Sequence, residues 1–188
     1  MKYLKVAAVA VVALLAFGCA PKLPQAEVDA ANAAFNDAKT AQADVYAADA
    51  FKTASAANDT LQSDLSSKSF AKAKTDAKAL QDASTAAKSA VDAGKVAMKT
   101  SIDAAVADLG AELPVVQKEL AKAAKAGKKA KVDVKSYKTL AADMKSGLAD
   151  VKTAEDAGNI ADANAKVAAL KATLDDAKAK LEAAGFKA

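Results

Sequence analysis

Alanine dominates this chain and sets the kind of fold that it can form. There are 55 alanines among 188 residues, against only seven glycines and three prolines. Alanine has the highest helix propensity, and lysine, the only basic residue type present, follows closely, so the composition predicts helix almost throughout. Because an alanine methyl buries little apolar area, a wide core is not expected. The sequence predicts an all-α fold, an elongated helical bundle of about six helices.

The residue types that are missing exclude several kinds of site. The chain has no histidine, arginine or tryptophan, and its single cysteine is Cys19. A His/Cys zinc site, a catalytic pair that uses histidine, and a disulfide within the chain are therefore excluded. Adjacent acids such as Asp175 and Asp176 do not face each other on a helix and are expected on solvated faces. We expect a protein that is not an enzyme, with no metal and no cofactor.

The first 18 residues have the layout of a secretory signal. Two lysines fall among the first five residues, and twelve uncharged apolar residues follow at 6–17. A permanent bilayer-spanning helix needs about 20 apolar residues, so this stretch is too short to be one. We interpret residues 1–18 as a signal peptide that directs export and is then removed.

Residues 15–19 resemble the lipobox of bacterial lipoproteins. The run Leu-Ala-Phe-Gly ends at Cys19, with Phe17 where the motif usually has a small or hydroxyl residue. The resemblance implies that the Cys19 thiol carries a diacylglycerol, that cleavage occurs before Cys19, and that the new amino group often receives an acyl chain such as palmitate. Two or three acyl chains give stable membrane anchoring. The alternative is an ordinary secretory signal followed by a chance cysteine.

The residues after Cys19 bear on the expected location. In bacteria with two membranes, an aspartate directly after the lipidated cysteine retains a lipoprotein in the inner membrane, whereas this chain has Ala20. The resemblance therefore implies an exported, lipid-anchored protein of the cell envelope, at the outer membrane and on its periplasmic or surface leaflet. Residues 19–24, which include Pro21 and Pro24, are expected to form the anchored tether.

The sparse helix breakers divide the rest of the chain. Helices are expected over 25–46, 48–66, 70–109, 133–156 and 160–184, with a further helix between Pro114 and a loop at 126–132. Apolar residues three or four apart run from Ile102 to Leu120 across Pro114, which favours either one kinked helix or two helices that meet. We favour a break at 110–114, which places a first helical unit at 25–109 and a second at 110–188.

The two halves look alike when the chain is shifted by 90 residues. The shift places Leu23-Pro24 on Leu113-Pro114 and the apolar pattern of 61–80 on that of 151–170. In both halves a helix ends, a short polar turn follows, and a new helix begins at the same spacing. We interpret this as two antiparallel hairpin units with turns similar to tetratricopeptide turns. The alternative is the generic helix–turn–helix patterning of an alanine-rich chain.

Residues 23–93 resemble an alanine-rich helical domain of unknown function found in bacterial envelope lipoproteins, some of which also carry an OmpA-like domain. The likeness rests on the run Tyr46-Ala47-Ala48, where the family has Tyr-Ala-Pro, and on Phe51 as the apolar anchor of the next helix. The family's molecular role is itself unsettled. The resemblance therefore implies a fold rather than an activity.

One stretch, the basic segment at 118–138, carries most of the charge asymmetry. It holds eight lysines and two acids, a net charge of +6. Such a segment fits contact with anionic lipid, cell-wall carboxylates or an acidic partner, and a solubilising loop is the alternative. The candidate contact residues are Lys118, Lys122, Lys125, Lys128, Lys129, Lys131, Lys135 and Lys138.

These features predict a non-catalytic, lipid-anchored envelope lipoprotein with a structural or scaffolding role. A ligand-binding or adhesion lipoprotein that uses the basic segment or an inter-helix groove is the alternative, and a protectant that is disordered in isolation is a third hypothesis. The expected partners are the membrane through the anchor, envelope proteins, anionic lipid and peptidoglycan. Nucleic acid is not expected, because the chain is exported and lacks arginine and stacking aromatics.

Overall fold

The computed structural model of the protein describes residues 22–127, 134–137 and 139–187. Within these ranges the protein is all-α, as predicted, with six α-helices and no strand. A 3₁₀ turn at Val134–Tyr137 precedes the fifth helix. The predicted signal peptide, Cys19 and the start of the tether lie outside the described residues. The helices are α1 (Gln25–Thr40), α2 (Ala43–Tyr46), α3 (Ala48–Ser66), α4 (Phe70–Ala126), α5 (Leu140–Asp156) and α6 (Ile160–Ala183).

The chain divides into two compact units, one up to Val91 and one from Asp92. The first contains α1, α2, α3 and the beginning of α4, and the second contains the remainder of α4 with α5 and α6. Each unit therefore has three long helical segments, one more than a simple hairpin. The division falls inside α4, earlier in the chain than the expected boundary at 109/110.

Helix α4 overturns the break that we favoured at 110–114. It runs without interruption over Phe70–Ala126, with Pro114 inside it. The proline ring has no N–H to donate to the Gly110 carbonyl and crowds that group, which disfavours a helix at this point. The apolar residues before and after Pro114 nevertheless lie buried, so burial of one continuous face outweighs the lost hydrogen bond. The residues of this face are Ile102, Leu109, Val116 and Leu120.

Two other helices are shorter than predicted at one end. The first helix ends at Thr40 rather than at residue 46, because Gln42 takes a left-handed φ of 60° and α2 follows as a separate turn. The helix expected from residue 133 begins at Leu140, and Tyr137 lies in the 3₁₀ turn before it. In both units a single helical turn that ends in a tyrosine, Tyr46 or Tyr137, thus precedes the second long helix.

The turns that join α3 to α4 and α5 to α6 share their backbone hydrogen bonds at positions 90 residues apart. Both turns have the Schellman arrangement, in which the residue after the helix cap takes a positive φ. That φ is 57° at Lys68 and 76° at Gly158. The predicted likeness of the two hairpins is therefore present in the backbone. The shared N–H to carbonyl bonds are Lys68 to Leu65 and Ser69 to Asp64 in the first turn, and Gly158 to Glu155 and Asn159 to Ala154 in the second.

Alanine fills much of the core of each unit. In the first unit, the rings of Phe35 on α1 and Phe51 on α3 stack with centroids 5.4 Å apart. In the second unit, a Cβ built on Gly147 would lie 2.5 Å from Leu170 Cδ2, so the Leu170 side chain of α6 lies directly over Gly147 of α5. The buried residues packed around Phe35 are Val28, Ala31, Ala54, Leu61, Ala73, Ala77 and Leu80.

The paired turns predict opposite effects for two substitutions. A non-glycine residue at a left-handed position is strained, whereas glycine adopts it freely. Lys68→Gly is expected to raise the free energy of unfolding by about 1 kcal/mol, and Gly158→Ala to lower it by about the same amount. Urea unfolding followed by circular dichroism measures both changes. If both substitutions raised the unfolding free energy, or both lowered it, the shared turn geometry would be contradicted.

The close approach at Gly147 predicts a contrast with Gly110, which has no atom within 4 Å of a built Cβ. Gly110→Ala is expected to raise the unfolding free energy by about 1 kcal/mol, because alanine is the better helix former. The unfolding free energy of Gly147→Ala is expected to be about 1–2 kcal/mol lower than that of Gly110→Ala, because the added methyl meets Leu170. In a Leu170→Ala background the two substitutions should become equal, and a persisting difference would locate the conflict elsewhere.

Candidate functional site

The described lysines of the basic segment lie at the C-terminal end of α4 and in the 3₁₀ turn. Lys118, Lys122 and Lys125 are exposed on α4, and Lys135 is exposed in the turn Val134–Tyr137. The four remaining candidates lie outside the described residues, so their placement stays a prediction. Those four are Lys128, Lys129, Lys131 and Lys138.

Lys118, Lys122 and Lys125, which we call the lysine stripe, occupy one face of α4. Their spacing of four and three residues places successive side chains above one another on a helix. Val115, three residues before Lys118, continues the same face with 47% of its surface exposed. The apolar side chains of Val116, Leu120 and Ala123 are buried. The end of α4 therefore has a buried apolar side and an exposed lysine side with one exposed valine.

Charge on the lysine stripe is only partly neutralised. Lys122 Nζ lies 2.6 Å from Glu119 Oε1, and the side chain of Glu119 is only 9% exposed. Lys118 and Lys125 form no ion pair with any residue that the structure describes. Elsewhere, by contrast, lysines pair with acids four residues away, as Lys152 does with Asp156 on α5. The two ends of the stripe therefore present positive charge to solvent.

Inter-helix ion pairs show where the two units differ. Lys88 Nζ on α4 lies 2.8 Å from Asp37 on α1, and Lys178 Nζ on α6 lies 3.0 Å from Glu112 on α4. The lysines are 90 residues apart, but the acids are 75 apart. The predicted overlay of Leu23-Pro24 on 113–114 is therefore wrong, since Pro24 precedes α1 whereas Pro114 lies inside α4.

The second unit accordingly contains a longer connection than the first. Asp37 lies 11 residues before the start of α3, whereas Glu112 lies 28 residues before the start of α5. The basic segment at 118–138 falls wholly inside this longer connection, which we call the extension (residues 113–139). The stretch between Asp37 and α3 in the first unit holds only one lysine, Lys39, so the run of lysines is a feature of the second unit.

Both ends of the extension are attached to the same end of α6. Glu112 holds the departing chain through Lys178, whose pKa is raised chiefly by its hydrogen bond to Glu112. Tyr137 holds the returning chain, because its hydroxyl donates to Asp176 Oδ2 at 2.8 Å. Lys180 Nζ donates to the same oxygen at 2.9 Å and lies 5.7 Å from the centre of the tyrosine ring.

The groups in this tyrosine cluster shift one another's ionisation. Burial, and then the hydrogen bond to Asp176, raise the pKa of Tyr137 above its ordinary value. Lys180, and then Tyr137, lower the pKa of the Asp176 carboxyl, which favours its charged form. The cluster is therefore held together by a neutral phenol, a carboxylate and an ammonium group over the whole neutral pH range.

Sequence reasoning missed this cluster. The pattern treated Tyr137 as the first apolar residue on the buried face of the helix expected over 133–156, and Asp176 as one of two adjacent solvated acids. Asp176 is indeed exposed, but its partner is 39 positions away in the chain, and no spacing rule links them. The tyrosine at the end of a helical turn, repeated at Tyr46 and Tyr137, was the one signal available.

Three concave surfaces among the described residues are open and of mixed charge, and the largest of these three, about 500 Å³, lies after α6 and is lined by Glu182, Gly185, Phe186 and Lys187. One groove of about 260 Å³ in the second unit is lined by Ser101, Asp108, Leu109, Glu112 and Lys171 together with alanines. A groove of about 400 Å³ in the first unit is lined by Glu27, Lys74, Thr75, Lys78 and Gln81. In the described part of the chain, no three acids, histidines or cysteines come together as metal ligands.

A search for membrane-spanning helices and comparisons with known proteins add nothing to the description of the site. Among the described residues, no helix has the length and apolarity required to cross a bilayer. No protein-family model matches the chain, and no curated protein or solved structure is significantly similar to it. The likeness to alanine-rich envelope lipoproteins therefore remains an expectation from the sequence.

The tyrosine cluster predicts a pH-dependent contribution to stability. Tyr137→Phe removes the hydroxyl that donates to Asp176 and is expected to lower the unfolding free energy by about 1 kcal/mol at pH 7. Because the folded-state pKa of Tyr137 is raised, this contribution is full below the ordinary tyrosine pKa of about 10 and is lost as the pH rises through the folded-state pKa.

Urea unfolding between pH 7 and 11 measures this contribution. The difference between the wild type and Tyr137→Phe should shrink at the upper end of the range. Asp176→Asn, which keeps an acceptor for the phenol, should retain more of the pH dependence than Tyr137→Phe does. A difference that stays constant up to pH 11 would contradict the assignment.

Proposed function

We propose that this protein is a non-catalytic, lipid-anchored lipoprotein of the bacterial cell envelope with a structural or scaffolding role. The observation that carries the proposal is the position of the chain's only cysteine, Cys19, at the end of a lipobox-like run that follows an apolar signal-like stretch. Diacylglycerol on this thiol and an acyl chain on the new amino group would hold the protein at the membrane.

The short distance between the anchor and the first helix supports this role. Helix α1 begins at Gln25, so only residues 19–24 separate the lipidated position from the helical units. At about 3.3–3.6 Å per residue, six extended residues reach at most about 20 Å. The first unit would therefore stay close to the bilayer surface, within reach of other envelope components.

The surface of the helices is consistent with contact between macromolecules rather than with chemistry on a small substrate. The grooves of about 260 and 400 Å³ have no aromatic lining residue, and the open depression after α6 has only one, Phe186. Ligand pockets are typically enclosed and rich in apolar and aromatic groups, with a few convergent polar groups. Extended helix faces with many charged side chains instead offer area for protein or surface contacts.

Metabolic labelling with a palmitate analogue tests the anchor. The wild-type chain, expressed in a diderm bacterium, should incorporate label and fractionate with the outer membrane. Cys19→Ala should do neither, because it lacks the thiol that accepts diacylglycerol. Mass spectrometry of the mature N-terminus should place the lipid on residue 19. An unlabelled wild-type chain that is cleaved and released into the periplasm would contradict lipid anchoring.

Cross-linking in intact envelopes tests the scaffolding role. An anchored scaffold should give the same discrete cross-linked species in repeated preparations, and Cys19→Ala should lose them when it leaves the membrane. A labelled, membrane-bound chain that yields no discrete species would retain the anchor but contradict the scaffolding role.

A further inference from the structure

The extension points to a second membrane contact that does not depend on Cys19. We propose that the lysine stripe, together with Val115, docks the C-terminal end of α4 on the phosphate headgroups of an anionic phospholipid bilayer. The contact residues lie on one exposed helix face, and the opposite face is already occupied by the buried side chains of the second unit.

The arrangement of charge supports an extended anionic surface as the partner. Residues 118 and 125 are separated by about 10 Å along the helix axis, at 1.5 Å per residue. This separation is close to the Debye length at physiological ionic strength, about 8 Å, so the three ammonium groups act together on one surface. No acid that the structure describes pairs with Lys118 or Lys125, and a row of phosphates would provide the missing negative charge.

Val115 favours a bilayer over a soluble polyanion. Its side chain is 47% exposed on the same face as the lysines, although most of the valines that the structure describes are better covered. A phosphate polymer would gain nothing from an exposed valine. The interfacial region of a bilayer accepts apolar side chains while it pairs its headgroups with lysines, and long lysine stems are suited to that boundary.

The architecture of the second unit separates this surface from the core. The two ends of the extension are fixed to α6 by the Glu112–Lys178 and Tyr137–Asp176 contacts. The lysines are thus presented on a helix whose orientation within the unit is set by packing. A preorganised stripe loses less conformational freedom on docking than a flexible basic loop does.

Vesicle binding of residues 20–188 tests the proposal without the acyl anchor. This fragment, which lacks only Cys19 of the expected mature chain, contains every residue that the structure describes, and a cooperative thermal melt followed by circular dichroism checks its fold. It is expected to bind vesicles of phosphatidylglycerol and phosphatidylcholine, to bind pure phosphatidylcholine vesicles far less, and to dissociate as salt is raised.

The central comparison is between two double variants of equal net charge. Lys118→Gln with Lys125→Gln removes the two unpaired ends of the stripe and keeps Lys122 on Glu119, so the buried acid is not left alone. Lys52→Gln with Lys145→Gln removes two exposed lysines elsewhere. The stripe variant should bind anionic vesicles about 30-fold more weakly, the effect of two lysines near an anionic surface. The control should bind nearly as the wild type does.

A valine comparison separates a bilayer from other anionic partners. Val115→Ser should weaken vesicle binding by about five-fold. Val96→Ser, at a valine on the same helix that is 67% exposed, should leave it unchanged.

Four results would overturn the proposal. These are the absence of binding to anionic vesicles, equal losses in the two lysine variants, unchanged binding in Val115→Ser, and binding to purified sacculi in preference to vesicles. The last result would assign the stripe to peptidoglycan. Because the chain from residue 20 carries no lipid, a failure here leaves the anchor at Cys19 intact, and a failure of palmitate labelling leaves the stripe intact.

Discussion

Close approach of alanine-lined helices is the constraint on which both units depend. An alanine methyl contributes little apolar burial, so the helices gain stability only where their backbones come near enough for many small contacts to add up. The stacked rings of Phe35 and Phe51 and the position of Leu170 over Gly147 show how larger side chains fill the space between the alanines. Size therefore limits what fits in such a core, so an added methyl is expected to meet a neighbour at residue 147 and open space at residue 110.

Regular spacing made part of this fold readable from the sequence. Strong local patterns placed α3, α6 and the two hairpin turns within a residue or two, because helix propensity and the turn-forming residues agree there. At Pro114 the local and tertiary preferences disagree, and burial on both sides of the proline decides in favour of one helix. At Gln42 a non-glycine residue takes a left-handed conformation that no residue preference had indicated.

In the candidate site, too, local features could be predicted from the sequence and long-range contacts could not. The lysine stripe was predictable, because charge and helical spacing are both properties of neighbouring positions. The attachment of Tyr137 to Asp176 and of Glu112 to Lys178 was not, since each joins residues that meet only when α6 packs on its unit. These long-range contacts distinguish a presented lysine surface from an ordinary basic loop. The lipid anchor rests on sequence alone, because Cys19 lies outside the described residues.

Fixing the extension at two points on one end of α6 has an evolutionary consequence. The entropy of closing a connection between fixed ends changes by only about 0.6 kcal/mol when its length doubles. Insertions and deletions between Ala126 and Val134 should therefore be tolerated by the second unit, because they leave the buried Val116, Leu120 and Ala123 of α4 in place. The number of lysines in the extension can drift while the fold is retained, so related chains would be free to adjust their surface affinity to the charge of the envelope in which they live.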